Sequence, residues 1–359
     1  MNQMAYSVLQ PAPSLQPMRI DASLAMDPVD YDHHGAYKQF VTGAGSGDRL
    51  RALRIFGWSY LKVLGKRLVR YEMIPLDYRR PHGIGAWLAL VGTALRNMLT
   101  SGGNAVYDSL SRNGIAALAM PQERFRELEA MSAHAFHDLR ARRERSAAGG
   151  GRSFEDSRYY LRRSIDAPLY EKIEAVLAEA GVLDAASRYL GRKVRLVDVN
   201  PQINDTSDNF WTRVFPDRQD EQPSCAYFHR DASGGDVKAI FYMCDVGPGQ
   251  GPFEYAIASH AVRPRGLRDY VGEANDSNGL AGTEVQQRRD FAALPHALRL
   301  KCSFGNDVEE QSQLARMIAA SKWPILAPAG SIVLFDTKGI HRGGLVREGE
   351  RRVITCVLG

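Results

Sequence analysis

The stretch Tyr227-Phe-His229-Arg-Asp231-Ala-Ser holds the most informative chemistry of this 359-residue chain. On a strand, residues i and i+2 point to one face, because side chains alternate with period two. His229 and Asp231 would then offer an imidazole nitrogen and a carboxylate oxygen to one side of a metal ion. A second imidazole from elsewhere would complete a facial triad and leave coordination positions open. A ferrous centre needs such positions to bind both a bidentate cosubstrate and dioxygen. Alone, a His-x-Asp pair is a weak signal, since chance makes it common and a packing or surface pair is its usual meaning.

Two C-terminal histidines compete for the third position: His260, and His341 in Gly339-Ile-His341-Arg-Gly343-Gly344. His341 follows an apolar run and opens a glycine turn. Further on, Arg352 opens the last strand. A fixed guanidinium near the metal suits a dicarboxylate such as 2-oxoglutarate. The keto-acid end would chelate iron while arginine grips the far carboxylate through two parallel N–H bonds. Arg351 is the rival, because a one-residue slip across the Gly349 turn exchanges the faces of the two arginines.

Together, His229-Arg-Asp231, Phe241-Tyr-Met-Cys-Asp245-Val, Gly251-Pro252, Ser259-His260, Gly339-Ile-His341-Arg-Gly343 and Arg352 resemble the phytanoyl-CoA dioxygenase-like family. The resemblance is strong over about 220–359, looser over about 105–219, and does not reach residues 1–104. It implies a non-haem oxygenase that uses Fe(II), 2-oxoglutarate and O2. It implies His229, Asp231 and His341 as iron ligands and Arg352 as the 2-oxoglutarate carboxylate binder. Tyr242 falls where members often face the cosubstrate, although packing explains a strand tyrosine equally well. The Ser259-His260 pair matches a recurring turn of the family. The implied reaction hydroxylates an unactivated carbon of a small molecule (a secondary metabolite, acyl or lipid-like acid) and releases succinate and CO2. Related halogenases lack the carboxylate, so Asp231 points to hydroxylation or another oxidation. Two rivals stand beside this reading: an inactive jelly-roll binding module, and a zinc hydrolase on the same three ligands that needs no oxygen.

The elements that must position these residues are mostly strands. Arg195 to Asn200 alternates, Val237 to Val246 is apolar and aromatic, and Ser331 to Phe335 and Val353 to Leu358 are apolar runs. Strands separated by Gly/Pro turns suggest a sandwich or jelly roll. The expected class is α+β: a double-stranded β-helix (cupin-like) core with N-terminal helices and a helical insertion. Gly247-Pro-Gly-Gln-Gly251-Pro reads as a tight hairpin, since no helix or Gly-Lys-Ser/Thr follows to make a phosphate cradle. Tyr170 to Leu190 reads as one helix, another begins after Pro121, and Arg140 to Arg152 reads as an exposed loop. Residues 104–359 form the expected oxygenase domain, with 263–325 an insertion that could serve as a lid.

Residues 1–47 read as a flexible tail and linker, with the pair His33-His34 inside it, and 48–103 as a helical extension. Leu53, Phe56, Tyr60, Leu64 and Leu68 share one helical stripe, with Arg51, Arg54, Lys62, Lys66 and Arg70 mostly opposite. An uncharged segment follows from Ile84 to Leu95. Packing on a core is one explanation; peripheral contact of 48–99 with an anionic membrane is the other. The whole chain is otherwise ordinary. At 44% hydrophobic and 24% charged it is a globular composition, and a net charge of +5 is too small to demand nucleic acid. Cys225, Cys244, Cys302 and Cys356 lie far apart without a C-x-x-C pair. Reduced thiols in a cytoplasmic protein are the plain expectation.

Overall fold

The computed structural model describes residues 6–11, 14–18, 45–70, 103–148, 157–190, 193–206, 228, 229, 231, 237–261, 286, 289, 290, 293–295 and 311–359. Nine strands stand among them: β1 (Ser7–Leu9), β2 (Ile115–Ala119), β3 (Leu196–Asp205), β4 (Val237–Tyr242), β5 (Phe253–Ala256), β6 (Lys322–Pro324), β7 (Ser331–Asp336), β8 (His341–Gly343) and β9 (Glu350–Leu358). They form two antiparallel sheets, one ordered β1-β2-β7-β4-β9-β3 and one ordered β6-β5-β8. The helices are α1 (Ser46–Arg70), α2 (Ala105–Asn113), α3 (Gln122–Ala148), α4 (Ala167–Glu179), α5 (Val182–Leu190) and α6 (Gln313–Ser321).

The apolar runs are explained by strands covered on both faces. In β7, Ile332 and Leu334 pack with helices α2 to α5, whereas Val333 and Phe335 face the smaller sheet. In β2, Ala116 and Leu118 take the helical side and Ile115 and Ala117 the inner side. The inner core joins Ile240, Tyr242 and Val353 of the large sheet to Phe253, Tyr255 and Trp323 of the small one. Helix α6 covers the outer face of the small sheet, where Leu314 and Ile318 meet Ala256, Ile340 and Phe228. Helices gathered on the outer faces of antiparallel sheets make this an α+β arrangement.

Several expectations change. Part of the N-terminal tail is built into the fold: β1 pairs with β2, and Met18 is buried, its N–H donating to the Ile257 carbonyl at 2.7 Å. Three residues are too few to display a period, so this strand leaves no mark in the sequence. The charged stretch after Arg140 is helical to Ala148 rather than a loop. There Arg143 is buried, donating to the Ile203 carbonyl at 2.8 Å and pairing with Asp205 at 2.6 Å. The helix expected over 170–190 is two helices, broken at Gly181 with φ 70°. The Gly247 to Pro252 turn is no hairpin, because it carries the chain from β4 in the large sheet to β5 in the small one. Gly251 is needed there: its φ is 64°, and a Cβ would meet the Gly344 carbonyl at 2.5 Å. The end of the 263–325 insertion is structural too, since β6 pairs with β5.

Most of 263–310, the Ile84 to Leu95 segment, His33-His34, Cys225 and Cys302 lie outside the described residues. Cys244 and Cys356 are free thiols, and burial pushes the Cys356 thiol up.

Candidate metal centre

Three side chains converge at one edge of the inner core. His229, Asp231 and His341 each offer a ligand atom, and these atoms all lie within 4.8 Å of one another. Asp231 Oδ1 stands 3.7 Å from Nε2 of both imidazoles. The His229 and His341 rings are 4.6 Å apart between centroids.

Backbone pairing sets this geometry. The His229 N–H donates to the His341 carbonyl at 3.0 Å, and the His341 N–H returns a bond to the His229 carbonyl at 2.9 Å. The two histidines therefore oppose each other as an antiparallel bridge, rather than His229 lying on a full strand as its spacing suggested. The Asp231 N–H donates to the Thr337 carbonyl at 2.9 Å, so the β7–β8 turn holds the third group. That turn is itself pinned. The Tyr255 hydroxyl donates to the Asp336 carbonyl at 3.1 Å, and the Tyr189 hydroxyl to Asp336 Oδ2 at 2.5 Å.

His341 Nδ1 lies 2.8 Å from the Gly339 carbonyl. A carbonyl can only accept, so Nδ1 carries the proton and Nε2 keeps its lone pair for a ligand. Burial, reinforced by the neighbouring His229, lowers the His341 pKa to about 3. The Asp231 pKa is lowered as well: burial opposes its charge, yet His341, Lys238 and His229 hold its carboxyl at about 2. A neutral imidazole beside an ionised carboxylate is the protonation state a divalent ion requires.

Lys238 is a residue the motif reading missed. Its Nζ donates to Asp231 Oδ2 at 2.6 Å, on the oxygen not turned to the imidazoles. A signal existed: Lys238 is the lone charge in the run Val237 to Tyr242, and period two puts it on the same face as Ile240 and Tyr242.

The expected cosubstrate residues fall differently. Tyr242 is fully buried on the inner wall, where its hydroxyl donates to the Ile325 carbonyl and accepts from the Phe253 N–H, each at 3.1 Å. Arg352 is not brought to the three ligands. It pairs across the sheet with Ile203, which packs among the helices, and its Nε lies 3.3 Å from Glu350 on that side. Arg351 takes the inner face with Val353, because the turn at Gly349 sets the phase of β9. Arg351 is buried and donates to the Gly344 carbonyl at 3.3 Å. A Cβ on Gly343 would lie 3.2 Å from its Nη2, and Gly343 shares His341's face of β8. His260 sits apart from the cluster, in a short 3₁₀ turn with Nε2 3.3 Å from the Ser111 carbonyl.

No family model matches the chain, and no curated protein matches it. Solved structures do. AviO1 from Streptomyces viridochromogenes Tue57 aligns with TM-score 0.37 and 15% identity, covering 71% of this chain and 93% of that one. EctD from S. alaskensis with 2-oxoglutarate and 5-hydroxyectoine gives TM-score 0.42 and 12% identity, over 70% of this chain and 74% of that one. The epimerase SnoN, in complex with Fe3+, alpha ketoglutarate and nogalamycin RO, gives 0.40 and 12%, over 70% and 81%. These superpositions are loose and the identities low, so function is read from the site itself. On its own geometry, the chain is an α+β protein with a candidate two-histidine, one-carboxylate centre.

Proposed function

We propose that this chain is a non-haem Fe(II)- and 2-oxoglutarate-dependent oxygenase acting on a small molecule, with the ion held by His229, Asp231 and His341. The observation that carries the reading is their convergence, with Asp231 Oδ1 3.7 Å from both imidazole Nε2 atoms and His341 held in the ligand tautomer. Two histidines and one carboxylate leave positions open, unlike the four-ligand closure of a structural zinc site. The β core is then best read as a double-stranded β-helix, and the sequence likeness to phytanoyl-CoA dioxygenase-like proteins agrees with it. With 2-oxoglutarate and O2, such an ion supplies the oxidation that hydroxylates an unactivated carbon and releases succinate and CO2.

The chain's own residues position the reactants. Asp231 contributes charge through Oδ1, while Lys238 holds Oδ2 and opposes chelation by both oxygens. Arg351, rather than Arg352, fits the far carboxylate of 2-oxoglutarate. It stands against Gly343, two residues along β8 from His341, a span of about 6.6 Å that suits a five-carbon dicarboxylate. Glycine at 343 leaves room beside the guanidinium. Burial disfavours the charge of Arg351, so an anionic ligand there would be bound firmly. Tyr242 lies beside Arg351 in the inner core. Burial raises its hydroxyl to about 12 and both its bonds go to backbone, so it stays neutral and fixed. Phe253 and Phe335 flank His341 at 5.6 and 5.0 Å between ring centroids, shielding that ligand from water.

The deciding experiment is anaerobic addition of Fe(II) and 2-oxoglutarate to the metal-free protein. A weak visible charge-transfer band should appear, and admission of O2 should yield succinate and CO2. Asp231→Ala should abolish both. Hydrolytic turnover with zinc in the absence of oxygen, and no band with iron, would overturn the assignment.

A further inference from the structure

We propose that α1 is an interfacial helix that docks this protein on an anionic lipid surface. The inference is independent of the metal-site reading. Sequence spacing makes Leu53 and Phe56 part of a core-facing stripe, but the helix presents another side to the body. Ala52 is buried, Arg51 binds Asp290 at 3.0 Å, and Gln286 donates to Asp48 at 3.3 Å. These contacts orient α1.

Four large apolar side chains face outward, with the exposed Arg54 among them. Leu50, Leu53, Trp58 and Leu61 are exposed by 75%, 44%, 60% and 58%. On a helical wheel these four fall in one arc of about 140°, opposite Ala52. Gly57 and Arg54 lie within that arc, and the sequence continues its spacing with Leu64 and Leu68. An ordinary surface helix turns such a stripe inward.

Cations accompany the stripe. Between Ser46 and Arg70 the helix has seven Lys/Arg and one acidic residue, Asp48, while the whole chain is only +5. This one helix therefore carries the entire cationic surplus. Exposed leucines and a tryptophan bordered by arginine and lysine are the makings of a helix lying in a headgroup region. Apolar burial and attraction to anionic lipid add there, and the indole sits where one edge is wet. No helix among the described residues is long and apolar enough to cross a membrane, so the contact would lie along the surface.

The test uses the full chain with vesicles of phosphatidylcholine alone or mixed with phosphatidylglycerol. The protein should float with the anionic vesicles only, and raised salt should weaken the association. Trp58 emission should shift to shorter wavelength on binding, and the shift should vanish in Trp58→Phe. Leu53→Glu with Leu61→Glu should cut the bound fraction roughly ten-fold or more, with the far-ultraviolet spectrum and thermal midpoint unchanged. Arg49→Gln with Arg54→Gln provides a second arm, and should reduce the preference for phosphatidylglycerol while leaving the fold intact. Failure of the unmodified protein to float with anionic vesicles would overturn the proposal. So would equal binding by the leucine variant, which would mean non-specific cation adsorption. A concentration-dependent dimer dissolved by the same leucine substitutions would assign this face to a second copy and also overturn it.

Discussion

Lys238 Nζ lies 2.6 Å from Asp231 Oδ2, while Asp231 Oδ1 is 3.7 Å from each of two imidazole nitrogens. One carboxylate thus divides its oxygens between an internal cation and a prospective metal ion. In metal-free protein the lysine is the carboxylate's permanent countercharge. Lys238→Met should therefore destabilise the metal-free form by about 1–3 kcal/mol, less than a fully buried pair because both side chains keep some solvent. A divalent ion would restore the missing charge. Thermal unfolding with and without Mn(II) should show a larger metal-induced rise in the variant than in the parent protein. An equal rise would mean that the metal binds elsewhere.

The two adjacent arginines make opposite predictions. Arg351→Leu should weaken 2-oxoglutarate binding by roughly 10- to 100-fold, the value of a charge-assisted pair. Arg352→Leu, on the helical side of β9, should change it little. Titration of the anaerobic charge-transfer band reads both. A loss confined to Arg352→Leu would reverse the assignment and place the cosubstrate elsewhere.

Acid should weaken the metal-free protein before its carboxylates titrate. The folded His341 stays neutral down to about pH 3, whereas an unfolded histidine takes up a proton near its usual 6.5. The unfolded chain binds more protons between those values, so stability falls as pH drops from about 6.5 towards 3. At pH 5 the loss from this group is about 2 kcal/mol relative to pH 7.5. Asp231, held at about 2, adds a further loss as pH falls below its ordinary value of 3.8. Urea unfolding at pH 7.5 and pH 5 measures the difference. His341→Gln should shrink it; an unchanged difference would clear His341 as the cause.

Gly339 serves the site through its lack of a side chain. A Cβ there would overlap the Tyr255 hydroxyl, which cannot swing away because it bonds the Asp336 carbonyl in the core. Gly339→Ala should cost about 1–3 kcal/mol by overpacking, and it should move the carbonyl that orients His341. Calorimetry checks the first effect and metal titration the second. A variant as stable as the parent would show that the turn relaxes freely.

The candidate metal-ligand residues were legible because their signals are local. His229 and Asp231 sit two apart, and His341 follows an apolar run that no one-faced strand would show. Runs such as Ile332 to Phe335 announce strands buried on both sides, whatever their neighbours are. Nearby residues alone determine such periodicity, and so the sequence by itself determined the β character of the core and the three donors worth testing.

Which face a residue takes, and whom it meets there, depends on distant chain. Arg351 and Arg352 differ by one position, and only the Gly349 turn and the pairing of β9 with β3 and β4 decide which enters the core. Lys238 and Arg143 look like surface charges until Asp231 and Asp205 are brought to them from elsewhere in the chain. Ser7 to Leu9 becomes a strand because the edge of β2 is free to take one, and α1 turns its leucines outward because Asp290 holds Arg51. These outcomes come from long-range packing and ion pairing, whose energies exceed the local preferences that a pattern of residue types records.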